Sequence, residues 1–204
     1  MMRVIEVFDS LQGEGVWTGT PMTFVRLAGC NGPEKALGCV LWCDTPASWD
    51  PSAGREITVM EVASQVCLPR VCITGGEPLL QAEDVAALVQ VLHRRAVRVH
   101  LETNGTLPLA PREVPDWVTA SPKPPAYQIH PALGPIVDEI KLVADAEFAP
   151  EVAENLARLH PRAQVCIQPE ASEGENAVRL AVAAVMSHPE WRLSLQTHKL
   201  LGIR

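Results

Sequence analysis

The chain has 204 residues, a length that fits one domain of ordinary size with its own buried core. Apolar residues make up 47% of the chain and charged residues 20%, a balance that excludes an intrinsically disordered chain and a coiled coil. The formal net charge is −7, so the sequence lacks the basic excess with which proteins bind a nucleic acid backbone.

Two absences in the sequence bear on where the protein works. No apolar run reaches the roughly 18 residues that a membrane span needs. The first residues, Met1 to Val4, do not begin the basic and then apolar pattern of a signal peptide. We therefore expect a cytoplasmic protein that has neither a nucleic acid nor a membrane as its partner.

Strand patterns alternate with helix patterns along the chain. Strands are predicted at 3–8, 22–28, 70–74, 97–102, 116–120, 136–143, 164–168 and 191–197. Helices are predicted at 58–67, 83–95, 149–159 and from a Ser172/Glu175 capping pair to about residue 187. Parallel neighbours need a crossover, which a helix normally supplies, so we expect an α/β fold with about six mainly parallel strands. This is too few for a complete eight-stranded barrel, and a partial barrel or an open sheet is predicted.

Polar segments follow five of the predicted strands. They begin at Thr74, Glu102, Ser121, Gln168 and Gln196. Ligands of such sheets bind at the carboxyl ends of the strands, which lie at one edge. The sequence therefore predicts a binding site at this edge.

A cluster of cysteines lies in a segment rich in glycine and polar residues. Cys30, Cys39 and Cys43 form the pattern C-x8-C-x3-C. Three thiolates without a fourth nearby suit an iron–sulfur cluster with one open iron, or a zinc ion with a fourth ligand from elsewhere. Three unligated thiols are the remaining alternative. The other cysteines lie in helix or strand patterns, where we expect buried thiols: Cys67, Cys72 and Cys166.

Motifs around these cysteines resemble the radical S-adenosylmethionine (SAM) superfamily. They are Arg26-Leu27-Ala28-Gly29-Cys30, Trp42-Cys43-Asp44-Thr45 and Thr74-Gly75-Gly76-Glu77-Pro78. Four further motifs are similar to the 7-carboxy-7-deazaguanine synthase family: Leu11-Gln12-Gly13-Glu14-Gly15, Glu102-Thr103-Asn104-Gly105-Thr106, Ser121-Pro122-Lys123 and Gln196-Thr197-His198-Lys199. The full set occurs in the family's order along nearly the whole chain.

The resemblance implies a fold and a set of cofactors. The fold is a partial, open β/α barrel of the radical SAM type, with residues 1–204 as a single core domain and a cluster loop at about 29–45. The cofactors are a 4Fe-4S cluster, SAM and Mg2+. The superfamily's usual triplet is C-x3-C-x2-C, and both gaps are longer here. Because a few more loop residues add little closure entropy, we expect all three cysteines to be ligands.

The resemblance also implies site residues. The cluster is held by Cys30, Cys39 and Cys43, and Thr45 takes part in holding Mg2+. SAM contacts are implied for Trp42, Gly75, Gly76, Glu77, Ser121, Pro122, Lys123, Gln168, Pro169, Glu170 and Ala171. Substrate contacts are implied for Leu11, Gln12, Gly13, Glu14, Arg26, Thr74 and Arg204. From the residues alone, Arg26 also fits an ion-paired strand residue and Gln168 a polar residue at a strand end. No residue is assigned a catalytic role, because the cofactor carries the hard chemistry.

The implied activity is a radical SAM lyase reaction. It converts 6-carboxy-5,6,7,8-tetrahydropterin to 7-carboxy-7-deazaguanine with loss of ammonia, in queuosine biosynthesis, a tRNA modification pathway. The implied partners are the small pterin substrate, an electron donor such as flavodoxin or ferredoxin, and a second copy of the chain. A radical SAM activase that acts on a partner protein and a zinc-stapled binding module stay open as alternatives. The roles of His198 and Lys199 also stay open.

Overall fold

The computed structural model describes all 204 residues as an α/β protein. Its strands are β1 (Met2–Leu11), β2 (Pro21–Leu27), β3 (Arg55–Ile57), β4 (Arg70–Gly75), β5 (Arg98–Thr103), β6 (Trp117–Ala120), β7 (Glu139–Ala144), β8 (Gln164–Pro169) and β9 (Arg192–Leu193). Its α-helices are α1 (Val59–Gln65), α2 (Ala82–Arg94), α3 (Pro150–Leu159), α4 (Glu175–Ser187) and α5 (Thr197–Leu201). No helix combines the length and the apolar character that crossing a bilayer demands.

All nine strands belong to one sheet, in the order β3-β1-β2-β4-β5-β6-β7-β8-β9. The opening strands β1 and β2 pair antiparallel across the glycine-rich turn, and β3 adds antiparallel to β1. From β2 to β9 each neighbouring pair is parallel. The prediction of an open, mainly parallel sheet is confirmed. The parallel run has one strand more than the six expected, because the two-residue β9 completes it.

The helices cover the sheet through apolar faces that the sequence pattern predicts. In α2 the buried residues Val85, Leu88, Val89 and Leu92 recur at helical spacing and join a core cluster of 32 residues. Helix α1 begins at the predicted capping box, in which Thr58 and Glu61 satisfy each other's backbone N–H groups. These faces fix the helices on the sheet and leave its strand ends free to form a site.

A contact between distant strands shows that the sheet curls. Glu14 follows β1, and its carboxylate bonds the ammonium of Lys141 in β7. In the sheet order, four strands separate β1 from β7. The sheet therefore closes around a central cavity as a partial barrel, with the carboxyl ends of the parallel strands around it.

The predicted cap of α4 is wrong. The helix begins after Gly174, which has a φ of 59° and no side-chain cap. Ser172 instead donates its hydroxyl hydrogen to Glu170 Oε2 at 2.6 Å. Because Ser172 serves the turn after β8, it cannot also cap Glu175.

The predicted last strand is too long. Strand β9 ends at Leu193, and Ser194 then donates its N–H to Ile167 O at 2.8 Å. Thr197 begins α5 and donates its N–H to Gly13 O at 2.9 Å. The chain leaves the sheet because its polar residues bond the turn after β1.

The expectation that Cys67 is buried is also wrong. Its thiol is exposed, because α1 ends at Gln65 and Cys67 lies in the loop before β4. Cys72 and Cys166 are buried in β4 and β8, as expected.

Candidate functional site

A cavity of about 430 Å³ lies at the carboxyl ends of the strands. All five polar strand ends contribute to its lining, together with the cysteine loop and α5. The convergence that the sequence predicts at this edge is confirmed.

The cysteine triplet faces this cavity. Cys30, Cys39 and Cys43 are half-buried free thiols in its lining. The N–H of Gly32 donates to Cys30 Sγ at 3.4 Å, and the indole N–H of Trp49 donates to Cys43 Sγ at 3.3 Å. Such donors stabilise sulfur that carries negative charge. Burial raises the pKa of Cys30 to about 11, and the neighbouring Cys39 and Cys43 add to the rise, so the set favours a cationic partner.

The glycine pair after β4 is shaped by the cysteine loop. A Cβ on Gly76 would lie 2.3 Å from Gly29 O and 2.7 Å from Cys30 Cβ. Gly75 has a φ of +142°, and a Cβ there would lie 2.2 Å from Leu27 O. Both glycines line the cavity with bare backbone, as a close approach to a ligand requires.

Glu77, the next residue, lies outside the cavity lining. It is fully buried, and its carboxylate accepts the hydroxyl of Thr103 at 2.8 Å and the N–H of Asn104 at 2.7 Å. Burial raises its pKa, although these bonds oppose the rise. Glu77 therefore ties the end of β4 to the end of β5, and its predicted SAM contact stays a prediction.

The other side chains expected to contact SAM fall into two groups. Lys123 is half-buried, lies 5.4 Å from the centre of the Trp42 ring, and donates to Ser121 Oγ at 2.6 Å. Pro122, between them, lies outside the lining. The second group, at the end of β8, lines the cavity in full: Gln168, Pro169, Glu170 and Ala171.

Two arginines lie at another wall of the cavity and share one carboxylate. Arg26 Nε donates to Glu6 Oε1 at 2.8 Å, and the guanidinium of Arg204 bonds the other oxygen of Glu6. Ser10 donates its hydroxyl hydrogen to Arg204 O, which holds the chain end there. The predicted substrate residues Arg26 and Arg204 are thus brought together, and both line the cavity.

The turn after β1 forms a further part of the cavity wall, and the start of α5 bonds it, since Thr197 donates its N–H to Gly13 O. Leu11, Gln12, Gly13 and Glu14 all line the cavity. A Cβ on Gly13 would lie 2.0 Å from His198 Nδ1, so only glycine admits the histidine. The chain end therefore packs against the backbone that is predicted to contact the substrate.

A buried charge network at the cavity escaped the sequence analysis. Glu102 Oε1 accepts the amide of Gln12 at 3.0 Å, and Glu102 Oε2 accepts the hydroxyl of Thr74 at 3.2 Å. Lys141 Nζ lies 3.6 Å from Glu102 Oε1 and also bonds Glu14. Burial opposes ionisation of Glu102, but the Lys141 ammonium overrides it and lowers the pKa of Glu102 to about 2. One signal was available: Glu139 and Lys141 alternate inside an otherwise apolar strand.

A second polar network joins α5 to the cysteine loop. Lys199 Nζ donates to Asp44 Oδ2 at 2.8 Å. Gln196 Nε2 donates to Glu14 Oε1 at 2.7 Å and to Asp44 Oδ2 at 3.0 Å. Burial opposes the ionisation of Asp44, but Lys199 and Gln196 hold its pKa below the usual range. Lys199, whose role the sequence left open, therefore fixes the residue next to Cys43.

The sequence has relatives of known name over its whole length. It is 41% identical over 208 residues to a 7-carboxy-7-deazaguanine synthase of Bacteroides thetaiotaomicron, covering 100% of both chains. It is 38% identical over 206 residues to a 7-carboxy-7-deazaguanine synthase of Synechocystis, covering 98% of this chain and 93% of that protein. The chain belongs to the 7-carboxy-7-deazaguanine synthase family. No protein-family model matches the chain.

A solved structure agrees with this membership. The crystal structure of QueE from Escherichia coli matches with a TM-score of 0.71 and 27% identity, over 96% of this chain and 93% of that one. The fold is therefore the radical SAM fold that the resemblance implied. Membership in the 7-carboxy-7-deazaguanine synthase family favours a pterin enzyme over the activase and over the zinc-stapled module.

One ligand atom each of Cys72, His100 and Glu102 lies within 4.8 Å of the others, but the surroundings of these three residues do not suit a cation. The ammonium of Lys141 lies 3.6 Å from Glu102 Oε1 and already supplies the positive charge. Burial raises the pKa of Cys72 well above its ordinary value, so this thiol stays protonated. In this member of the 7-carboxy-7-deazaguanine synthase family, the group is part of the charge network and not a second metal centre.

Proposed function

We propose that the chain is a radical SAM lyase that converts 6-carboxy-5,6,7,8-tetrahydropterin to 7-carboxy-7-deazaguanine with loss of ammonia. The observation that carries this is one cavity whose lining combines the cysteine triplet with the paired arginines and with the carboxylate turn after β1. A sulfur-lined wall and a pterin-binding wall face the same space. The product belongs to queuosine biosynthesis.

The chain's residues hold the cofactors and exclude water. Cys30, Cys39 and Cys43 would hold the 4Fe-4S cluster. When bound, the cluster and SAM would supply the radical chemistry that removes hydrogen from the substrate. The backbone of Gly75 and Gly76 admits the methionyl part of SAM, because no Cβ intervenes. Further SAM contacts come from the two groups at Trp42 and at the end of β8.

Substrate orientation follows from complementary charge. Arg26, held by Glu6, binds the carboxylate of the pterin. Arg204 contacts the substrate site through the carboxylate of the chain end, which Ser10 holds. At the other end of the substrate, Glu14 and the backbone of the turn after β1 meet the aminopyrimidine edge. Thr74, hydrogen-bonded to Glu102, lies between these ends. These contacts fix the reacting carbon relative to SAM and keep competing water out.

A magnesium ion is the third cofactor of the proposal. Thr45 Oγ1 lies 3.8 Å from Cys43 Sγ in the cavity lining, beside the Asp44 carboxylate. Hydroxyl and carboxylate oxygens, completed by water and the substrate carboxylate, are the ligands that Mg2+ prefers. Thr45 is the residue we propose for this ion.

The proposal extends to the context of the enzyme. Residues 1–204 work as one radical SAM core domain, with the cluster loop at about 29–45. The enzyme acts in the cytoplasm as a homodimer, and a flavodoxin or ferredoxin supplies the electron. These points rest on the family membership.

The test is a product assay. Anaerobically reconstituted protein is incubated with SAM, Mg2+, dithionite and 6-carboxy-5,6,7,8-tetrahydropterin, and 5′-deoxyadenosine and 7-carboxy-7-deazaguanine are quantified by mass spectrometry. The proposal expects both products, with the deazapurine absent when the pterin is left out. A protein that carries the cluster, cleaves SAM and forms no deazapurine would overturn it.

A further inference from the structure

Lys141 is a buried cation inside the barrel. It lies in β7 between Ile140 and Leu142, and its side chain is 7% exposed. A lysine at such a position is stable only when acidic groups pair with it. Its two ion-pair partners are Glu14, in the turn after β1, and Glu102, in β5.

The two carboxylates have no other ionic partner. Among the ion pairs of the protein, Glu14 and Glu102 each occur with Lys141 alone. Their other bonds are neutral: Glu14 accepts from Gln196, and Glu102 accepts from Gln12 and Thr74. An ionised carboxylate has about four acceptor positions, so each keeps room to accept hydrogen bonds from a ligand in the cavity.

Other titratable groups around the lysine do not replace it. Those that face it or its carboxylates are Glu139, Lys123, His100, Cys72, Cys166 and Asp44. Burial lowers the pKa of His100 to about 4, so this ring is neutral at working pH. Lys123 is directed toward Ser121 and Trp42. Lys141 is therefore the cation on which both carboxylates depend.

We propose that Lys141 is a positioning residue that keeps Glu14 and Glu102 side by side as two anions, so that both accept hydrogen bonds from the N–H groups of the tetrahydropterin. This inference rests on the proposed function. A tetrahydropterin carries N–H donors on its amino group and on both rings, and it needs acceptors on the facing wall. Two carboxylates in one buried site do not both stay ionised without a cation between them. Without Lys141 one carboxyl takes up a proton and presents a donor to the donors of the substrate.

The test compares Lys141→Met, which removes the charge, with Lys141→Arg, which keeps it. Arg179→Met is the control, because it removes an exposed cation on α4 that pairs with Glu175 alone. Two readouts are used under anaerobic conditions: calorimetric binding of 6-carboxy-5,6,7,8-tetrahydropterin, and the pH profile of kcat/KM for this substrate. Iron content and SAM cleavage without the pterin report on the cluster.

We expect Lys141→Met to keep its iron and to weaken pterin binding about 30-fold at pH 7, the loss expected for charge-assisted hydrogen bonds. Its kcat/KM should recover about tenfold per unit as the pH rises toward the pKa of the newly protonated carboxyl. Lys141→Arg and Arg179→Met should keep the profile of the unaltered protein. A Lys141→Met protein with unaltered binding and profile overturns the inference and leaves the proposed function intact. Absence of product from the unaltered protein would instead overturn the proposed function.

Folding failure is also informative. If Lys141→Met does not fold alone but folds when Glu102→Gln removes one carboxylate charge, the ionic pairing is supported. If Lys141→Met fails to fold with and without Glu102→Gln while Lys141→Arg folds, the retained positive charge is what the fold needs, and the ionic pairing is supported. If Lys141→Arg also fails to fold, the size of the lysine side chain matters and not its charge, and the inference is overturned.

Discussion

Lys199 Nζ lies 2.8 Å from Asp44 Oδ2, so the last helix contacts the residue beside a cysteine of the triplet. The same helix holds the turn after β1, where Thr197 donates its N–H to Gly13 O at 2.9 Å. The chain end therefore links the two walls of the cavity. Since the Lys199–Asp44 pair is about half exposed, we attribute to it less than about 1 kcal/mol of stability and assign its main effect to geometry.

Removal of residues 197–204 tests this link. The shortened chain loses the contacts of Thr197, His198, Lys199 and Arg204 but none of the cysteines. We expect it to keep its iron and to bind the pterin at least about tenfold more weakly, because an arginine and the support of the turn are lost. Iron analysis and calorimetry measure the two effects. We thus assign pterin binding in part to the chain end and iron binding to the cysteines alone. A shortened chain that loses iron as completely as it loses pterin binding would contradict this assignment.

The cysteine triplet predicts a clear division among the free thiols. Cys30→Ala, Cys39→Ala and Cys43→Ala should each abolish SAM cleavage and lower the iron content well below about four per chain, since a cluster needs all three ligands. Cys67→Ala is the matched control, because this thiol is exposed and lies outside the cavity lining. Iron analysis with visible absorption checks the outcome. A Cys39→Ala protein with full iron content would remove Cys39 from the ligand set.

Gly76 should not tolerate a side chain. A Cβ there meets the backbone oxygen of Gly29 at 2.3 Å, and backbone cannot move aside as a side chain can. We expect Gly76→Ala to lower the free energy of unfolding by about 1–3 kcal/mol and to reduce iron loading. At Gly134 the nearest atom is His160 Cε1 at 3.3 Å, the end of a flexible side chain, so Gly134→Ala serves as the control. Denaturant unfolding of both variants gives the comparison, and equal losses would contradict the packing argument.

His100 predicts how stability depends on pH. Burial lowers its pKa from 6.5 to about 4, while Glu102 opposes and Lys141 adds to the shift. As the pH falls below about 6.5, the unfolded chain takes up the proton before the folded chain does, so stability is lost. This histidine should lower the free energy of unfolding by about 2 kcal/mol between about pH 7.5 and about pH 5.

The variant His100→Gln isolates this contribution, because glutamine does not titrate. Its stability should fall by about 2 kcal/mol less over the same interval than the stability of the unaltered protein. Denaturant unfolding at several pH values measures both. If His100→Gln and the unaltered protein lose stability in parallel, His100 is not the group responsible.

The sequence predicts those parts of the site that short motifs mark. The cysteines, the glycine pair and the polar strand ends are local patterns, and the structure gathers them at one cavity. Positions 13 and 76 require glycine because a Cβ would clash with a residue distant in sequence. The clash would be with His198 at position 13 and with Gly29 at position 76, and no local pattern reveals either contact. The fold class follows from the strand–helix alternation, because the parallel sheet is its direct consequence.

The parts that the sequence does not predict depend on long-range contacts. Lys141 and Glu139 are two charged residues in an otherwise apolar strand, and the partner Glu14 reaches Lys141 only because the sheet curls. The end of β9 depends on Thr197, which bonds the turn after β1 instead of continuing the strand. The capping pair at Ser172 fails because Glu170 competes for the serine. For Lys141 and the end of β9 the deciding contact is distant in sequence, whereas at Ser172 a hydrogen bond to a residue two positions away replaces the predicted cap.

Mössbauer spectroscopy of iron-57 protein, recorded anaerobically with and without SAM, tests the account most directly. The account predicts a 4Fe-4S cluster in which one iron site differs from the other three and changes its spectrum when SAM is added. A cluster with four equivalent protein-ligated irons that ignores SAM, or a protein that retains zinc in place of iron, would contradict it.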